Sequence, residues 1–207
     1  MRRAGKIFVG ILAVVGAAVI GCGVAFFIAG IDARQTPSQA ETRVARALRH
    51  TAIPGSARKR PNSVAGTPEV LKEAMAHFAD HCASCHGNDG KGQTEIGKSL
   101  YPRAPDMTAP ETQQLSDGEL FFIIKNGVRF TGMPAWGKDT AEDDADSWKL
   151  VHFIRQLPKV TQAELSEMEV MNPVSPMELK EREEEARFLE GKAESPSARR
   201  PPAGHKH

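Results

Sequence analysis

Cys82 and Cys85 stand three residues apart and His86 follows at once, within Cys82-Ala83-Ser84-Cys85-His86-Gly87. Two thiols at that spacing on a helical turn share one face, so each can reach one vinyl group of a porphyrin and close a thioether. The adjoining imidazole then lies beneath the ring, where it can bind iron from the proximal side. On these grounds the hexapeptide is a haem c attachment motif, with covalent sites at Cys82 and Cys85 and an iron ligand at His86. The second nitrogen of that imidazole should donate to a backbone carbonyl, fixing the tautomer. Gly87 lets the chain turn sharply away.

Two other chemistries use a cysteine pair. Zinc needs four ligands, commonly two separated pairs, and no second Cys-x-x-Cys or His-x-x-x-His follows this one. A redox-active dithiol stands between a strand and a helix, whereas this pair ends a helix. The third cysteine, Cys22, lies far off in an apolar run and is read as a lipid-facing residue. A lipoprotein reading of Val19-Ile20-Gly21-Cys22 competes, but the apolar run continues beyond it.

The iron needs a sixth ligand or an open position. Met133 is the candidate, in Thr131-Gly132-Met133-Pro134-Ala135-Trp136. Gly132 permits close backbone approach, and Pro134 stiffens a loop that must hold a weak thioether. Met75, Met107, Met168, Met171 and Met177 take the default role of filling apolar space. His/Met ligation raises a haem's potential and closes it to exogenous ligands, which suits reversible electron transfer.

The elements that must position these groups are helical. Thr67 as N-cap, Pro68 at the first position and Glu69 in the first turn open a helix that runs into the motif. His81 falls on its solvated side. Leu115 to Asn126 forms a second, capped at Ser116 or Asp117 and ended by Gly127. Asp146 to Leu157 forms a third, stopped by Pro158. Trp148, Val151 and Phe153 should pack on the first.

Ordered in this way, residues 68–158 resemble the class I mono-haem cytochrome c family. The resemblance rests on Phe78 with Cys82-Ala-Ser-Cys-His-Gly, on Leu115-Ser-Asp-Gly-Glu-Leu120, on Asn126-Gly127, on Gly132-Met133-Pro134, and on the helix beginning Trp148-Lys-Leu-Val-His. It covers a little under half the chain. It implies a compact all-α haem fold with one haem c, held through Cys82, Cys85, His86 and Met133, and a role as electron carrier and not catalyst. Ala74 stands where many members carry a glycine at the crossing of the terminal helices. Tyr101, Pro102, Arg103 and Pro105 stand where members wrap the haem, and Arg103 is placed to meet a propionate or solvent.

The remaining chain sets compartment and context. Arg2, Arg3 and Lys6 form a basic flank (residues 1–6) ahead of an uncharged apolar run over 7–31. That run is long enough to span a bilayer as an anchor, with a cleaved signal sequence as the competing reading. The flank predicts a cytoplasmic N-terminus, hence a single-pass protein of the bacterial inner membrane with its haem domain on the periplasmic side. Residues 32–67 read as a linker mostly without fixed structure, with a short helix near 41–49. Residues 159–190 read as a charged helical extension, with helices at 161–171 and 176–190. Residues 191–207 read as a disordered tail.

The chain carries 27 Lys and Arg against 26 Asp and Glu, which gives no field for nucleic acid. Within 68–158 acid predominates, much of it between Asp139 and Asp146, while Lys125, Arg129 and Lys138 flank the Met133 loop. These three could form a basic collar that steers an acidic partner. The expected partners are a redox donor and acceptor, in a respiratory or dehydrogenase complex of the membrane. A peroxidase with an open iron and a sensor with a displaceable ligand are the competing classes.

Overall fold

The computed structural model describes residues 2–29, 35–174 and 176–190. The end of the expected anchor at 30–31 and the expected tail at 191–207 lie outside the described residues. Helix α1 spans Arg2–Ala29, and within it Gly5–Ala25 is apolar and long enough to cross a membrane. Its apolar side chains find no cover in the protein. Ile7 is 65% exposed and Val14 71%, as expected of a helix whose solvent is lipid.

Among the described residues there are helices and no strand. Helix α2 spans Gln39–Ala52 and α3 spans Pro68–His77. Helices α4 (Asp117–Asn126) and α5 (Ala141–Gln156) follow, then α6 (Gln162–Met171) and α7 (Pro176–Leu189). The caps explain the boundaries. The Thr67 hydroxyl accepts from Val70 N–H at the start of α3. Ser116 and Glu119 close a reciprocal capping box on α4, and Thr161 and Glu164 do the same on α6.

Helix α5 begins five residues before the expected Asp146. Thr140 is its N-cap, and Glu142, Asp143 and Asp144 occupy its first turn. There the unsatisfied N–H groups favour carboxylates, so the acidic run is the start of a helix.

The core forms where α3, α4 and α5 meet. Phe78 and Phe153 lie 5.1 Å apart between ring centroids, and Phe121 stacks on Trp148 at 4.1 Å. Ala74 is buried where α3 packs on α5, so its methyl is accommodated at the crossing. Arg155 closes one side. Its guanidinium donates to the carbonyls of Gln113 and Leu115 and to the Asp117 carboxylate.

Two segments join this unit that the sequence assigns elsewhere. The first is the expected linker. Over residues 53–64 it is fixed against α4 and α5 by contacts that are mostly polar. The Ser116 hydroxyl donates to the Arg58 carbonyl (2.7 Å), the Asn62 amide to the Trp148 carbonyl (3.0 Å), and His152 Nε2 meets the Val64 carbonyl (2.8 Å). Arg60 lies over the Phe121 ring at 4.8 Å, and Ile53 is 2% exposed. Burying that isoleucine alone contributes about 1.5–3 kcal/mol. The approach is so close that a Cβ at Gly118 would stand 2.0 Å from the Ala57 carbonyl oxygen. The description of 32–67 as mostly without fixed structure is therefore corrected for these residues.

The second is α6, read as part of a charged extension. Its Met168 is fully buried in the common core, with Met171 packed against it. Helix α7 does match that reading, exposed at Leu179, Phe188 and Leu189.

Candidate haem site

Between α3 and the attachment motif the helix does not continue in simple α register. Phe78–Cys82 forms one π-helical turn, and Ala83–His86 then completes a last α turn. Such turns cluster at functional sites. Gly87 ends the helix at φ +73°, its N–H bonded to the Ala83 carbonyl at 2.8 Å.

Cys82 and Cys85 are both free thiols and both half-buried. Burial, helped by Cys85, pushes the Cys82 thiol up to about 12, so it stays protonated. Burial pushes the His86 imidazole down to about 4, against an opposing pull from the Pro105 carbonyl. The ring is thus neutral at physiological pH, the form in which imidazole binds a metal. Its Nδ1 is buried and has no partner in hydrogen-bond geometry. The expected bond from the second ring nitrogen to a carbonyl is present only as this pull from Pro105. Two thiols and a neutral, incompletely partnered imidazole on one turn are the groups that a covalently bound haem takes.

The backbone carbonyls of the motif are held from the far side. Gly92 N–H donates to the His86 carbonyl (2.7 Å), and the Thr94 hydroxyl to that of Cys85 (3.0 Å). A Cβ at Gly97 would stand 2.2 Å from the Cys85 oxygen, so this contact admits only glycine.

Met133 lies on a loop pinned to the end of α4. Gly127 ends that helix at φ +65°. Val128 N–H then donates to the Met133 carbonyl (3.1 Å), and Met133 N–H to the Thr131 hydroxyl (3.1 Å). Downstream, Trp136 N–H returns to the Ile124 carbonyl (3.2 Å) and Gly137 N–H to that of Lys125 (3.0 Å). The loop is closed on itself and on the helix, leaving its tip, Phe130, 92% exposed at φ +62°. Leu100 covers the loop, its side chain 2.6 Å from where a Gly132 Cβ would be.

The motif turn and the methionine loop meet through residues to which the sequence gives no such part. The His81 ring, beside Cys82, stacks on Trp136, three residues after Met133. The His81 side chain is 45% exposed, so one side does face solvent as expected. Its other side is a contact. An aromatic residue just beyond Gly-Met-Pro is the signal that could have suggested it.

The basic collar does not stand as three free cations. Lys125 is bound to Asp144 at 2.7 Å and to Asp139 at 3.3 Å, and these hydrogen bonds raise its pKa. Two acids of the run thus meet Lys125 near the end of α4, next to the methionine loop. For the zinc alternative, no group of three or more His, Cys, Asp or Glu is placed to hold a metal ion among the described residues.

Residues 69–154 match the family model described as cytochrome C oxidase, cbb3-type, subunit III. This segment is a c-type cytochrome domain. Among curated relatives, the cbb3-type cytochrome c oxidase subunit FixP of Rhizobium meliloti is 35% identical over 80 residues, 36% of this chain and 25% of the relative. The FixP subunit of Sinorhizobium medicae is 38% identical over 74 residues, 33% of this chain and 22% of the relative. The subunit CcoP of Cereibacter sphaeroides is 33% identical over 75 residues, 36% of this chain and 24% of the relative. The chain therefore spans about a quarter of the length of the curated relatives it matches. The cytochrome domain contains Cys82, Cys85, His86 and Met133, and everything that pins them lies inside it or against it.

Proposed function

We propose that this chain is the membrane-anchored cytochrome subunit of a respiratory oxidoreductase complex. It would hold one haem c through thioethers at Cys82 and Cys85, with His86 and Met133 as the residues that bind its iron. The observation that carries this reading is the buried, unpartnered His86 Nδ1 on a turn whose His81 stacks on Trp136, just after a Met133 loop closed by its own hydrogen bonds.

A haem held there supplies a one-electron couple. The protein's own work is to fix it and close it. Cys82 and Cys85 would hold it as thioethers, each S–H adding across one vinyl group, and no second Cys-x-x-Cys-His exists in this sequence for another. His86 offers a lone pair that needs no deprotonation. Met133 offers a weaker donor, which the Val128 and Thr131 bonds keep in place against water and small ligands. A site closed on both sides changes little between oxidation states, which favours electron transfer over chemistry on a bound substrate.

The relatives' names place them in cbb3-type oxidases, and we extend that setting to this chain as a partner class. The apolar Gly5–Ala25 segment with its basic flank supports a single pass, with the cytochrome domain outside the cytoplasm.

The test is direct. Matured in a competent host, the protein should keep its pigment through acid–acetone extraction, and Cys82→Ala with Cys85→Ala should abolish that. The reduced protein should ignore carbon monoxide, and Met133→Ala should bind it. Extractable pigment, or rapid carbon monoxide binding by the unaltered chain, defeats the proposal.

A further inference from the structure

Helix α2 is amphipathic, yet it meets the cytochrome domain with its charged side. Arg46 pairs with Glu111 at 3.5 Å, and His50 Nδ1 lies 3.0 Å from the buried Glu119. Glu41 at its N-terminus accepts from the Tyr101 hydroxyl. Thr42 and Arg49 are the partly covered residues of the helix, and none is buried. At 100° per residue, positions 42, 46, 49 and 50 form one side. The opposite side carries Ala40, Val44, Ala47, Leu48 and Thr51. All five are exposed, Val44 at 59% and Leu48 at 65%. The Thr51 hydroxyl is satisfied by the Ala47 carbonyl at 2.9 Å, so it presents its methyl.

A helix that packs by its charged face and turns its apolar stripe outward is inverted relative to a soluble domain, where the stripe is buried. Something other than this domain must cover it. Nine residues separate the end of α1 at Ala29 from the start of α2 at Gln39. Ten extended steps reach at most about 35 Å, so α2 is tethered within reach of the bilayer that α1 crosses. Arg43 borders the stripe by helical register, and Lys59 is exposed a short way on, the pattern by which interfacial helices meet anionic lipid.

We propose that the Ala40–Val44–Ala47–Leu48–Thr51 face of α2 lies in the headgroup region of the membrane. Its charged face then carries the cytochrome domain in a fixed orientation above the lipid. This rests on residues 5–25 being a retained anchor.

The test uses the full holoprotein in nanodiscs of phosphatidylethanolamine and phosphatidylglycerol. A nitroxide is placed at Leu48→Cys in a Cys22→Ser background, and in a second sample at Glu95→Cys. Power saturation compares collisions with oxygen and with a water-soluble nickel chelate. The oxygen-to-nickel ratio should be several-fold higher at position 48 than at 95, as for a label within the interface. It should fall to the value at 95 when the nanodisc is replaced by a hydrophilic amphipol. Equal ratios at 48 and 95 in the nanodisc overturn the proposal. Protection at 48 only when a co-purified protein is present overturns it in favour of a protein occupant. Intact mass read on the same samples isolates the anchor: a chain lacking residues 5–25 defeats the anchor reading, and with it this one.

Discussion

The Trp136 indole lies parallel to the His81 imidazole, with centroids 5.5 Å apart and planes within 10°. One ring sits beside the attachment turn and the other follows the methionine loop. Removing the indole should free the loop before it unfolds the domain. Trp136→Ala is expected to cost about 2–3 kcal/mol, less than for a fully buried tryptophan, and to make the reduced protein reactive to carbon monoxide. Denaturant unfolding and carbon monoxide difference spectra read the two effects separately.

Gly127 makes a sharper version of the same point. It sits at φ +65°, and a Cβ there would meet the Pro134 carbonyl carbon at 2.6 Å. Gly127→Ala combines left-handed strain with a backbone clash, together on the order of 1–3 kcal/mol. Because the clash falls on the loop backbone, carbon monoxide binding should rise more than in an equally destabilised variant at Met75, far from the loop in sequence.

Detachment of the 53–64 segment can be read by proteolysis. Gly118→Ala would force the Ala57 carbonyl away from α4. Trypsin should then cut at Arg58 or Lys59 many times faster than in the unaltered protein, while the haem spectrum stays the same. Unchanged cleavage would mean that the segment is not held by this contact.

Helix α6 belongs to the folding unit if Met168 does. Met168→Ala should lower stability by about 2–5 kcal/mol, the range for truncating a fully buried methionine. A chain ending at residue 158 should be less stable still. Thermal unfolding followed by far-UV circular dichroism tests both.

Glu119 gives a pH signature. Burial alone would raise its pKa, but hydrogen bonds from Ser116 and from the His50 ring hold it below the ordinary 4.5. A carboxyl lowered on folding stabilises above its unfolded value, and the benefit is lost as pH falls through the folded one. Glu119→Gln should therefore be less stable at neutral pH. Its curve should converge with the unaltered protein's below about pH 4.5, where the unfolded carboxyl protonates. Parallel curves down to low pH would contradict this.

The parts legible in the sequence are those whose causes are local. The attachment turn spans six residues, and the caps at Thr67, Ser116 and Thr161 each act within three positions. The Gly-Met-Pro loop announces itself by composition. The docked segment does not, because its bonds join residues 58, 86 and 88 apart, and a stretch with Pro54, Gly55, Pro61 and three basic residues reads as a linker. Met168 was hidden for a related reason: one deeply buried side chain on a mostly charged helix leaves little periodic signal. The start of α5 was missed because acids in a first turn resemble a solvated loop until the Thr140 cap is seen.

The π-helical turn at Phe78–Cys82 has a consequence for aim. An α-helix advances about 100° per residue, so one residue more or less rotates everything after it by that amount. The π turn absorbs one residue beyond an α turn, so the same five residues wound as a plain α spiral would over-rotate everything after them. Leu71, Ala74 and Met75 would keep their seats. The two sulfurs and the imidazole would swing more than a quarter of a circle about the axis. The hexapeptide would be intact in sequence and pointed the wrong way.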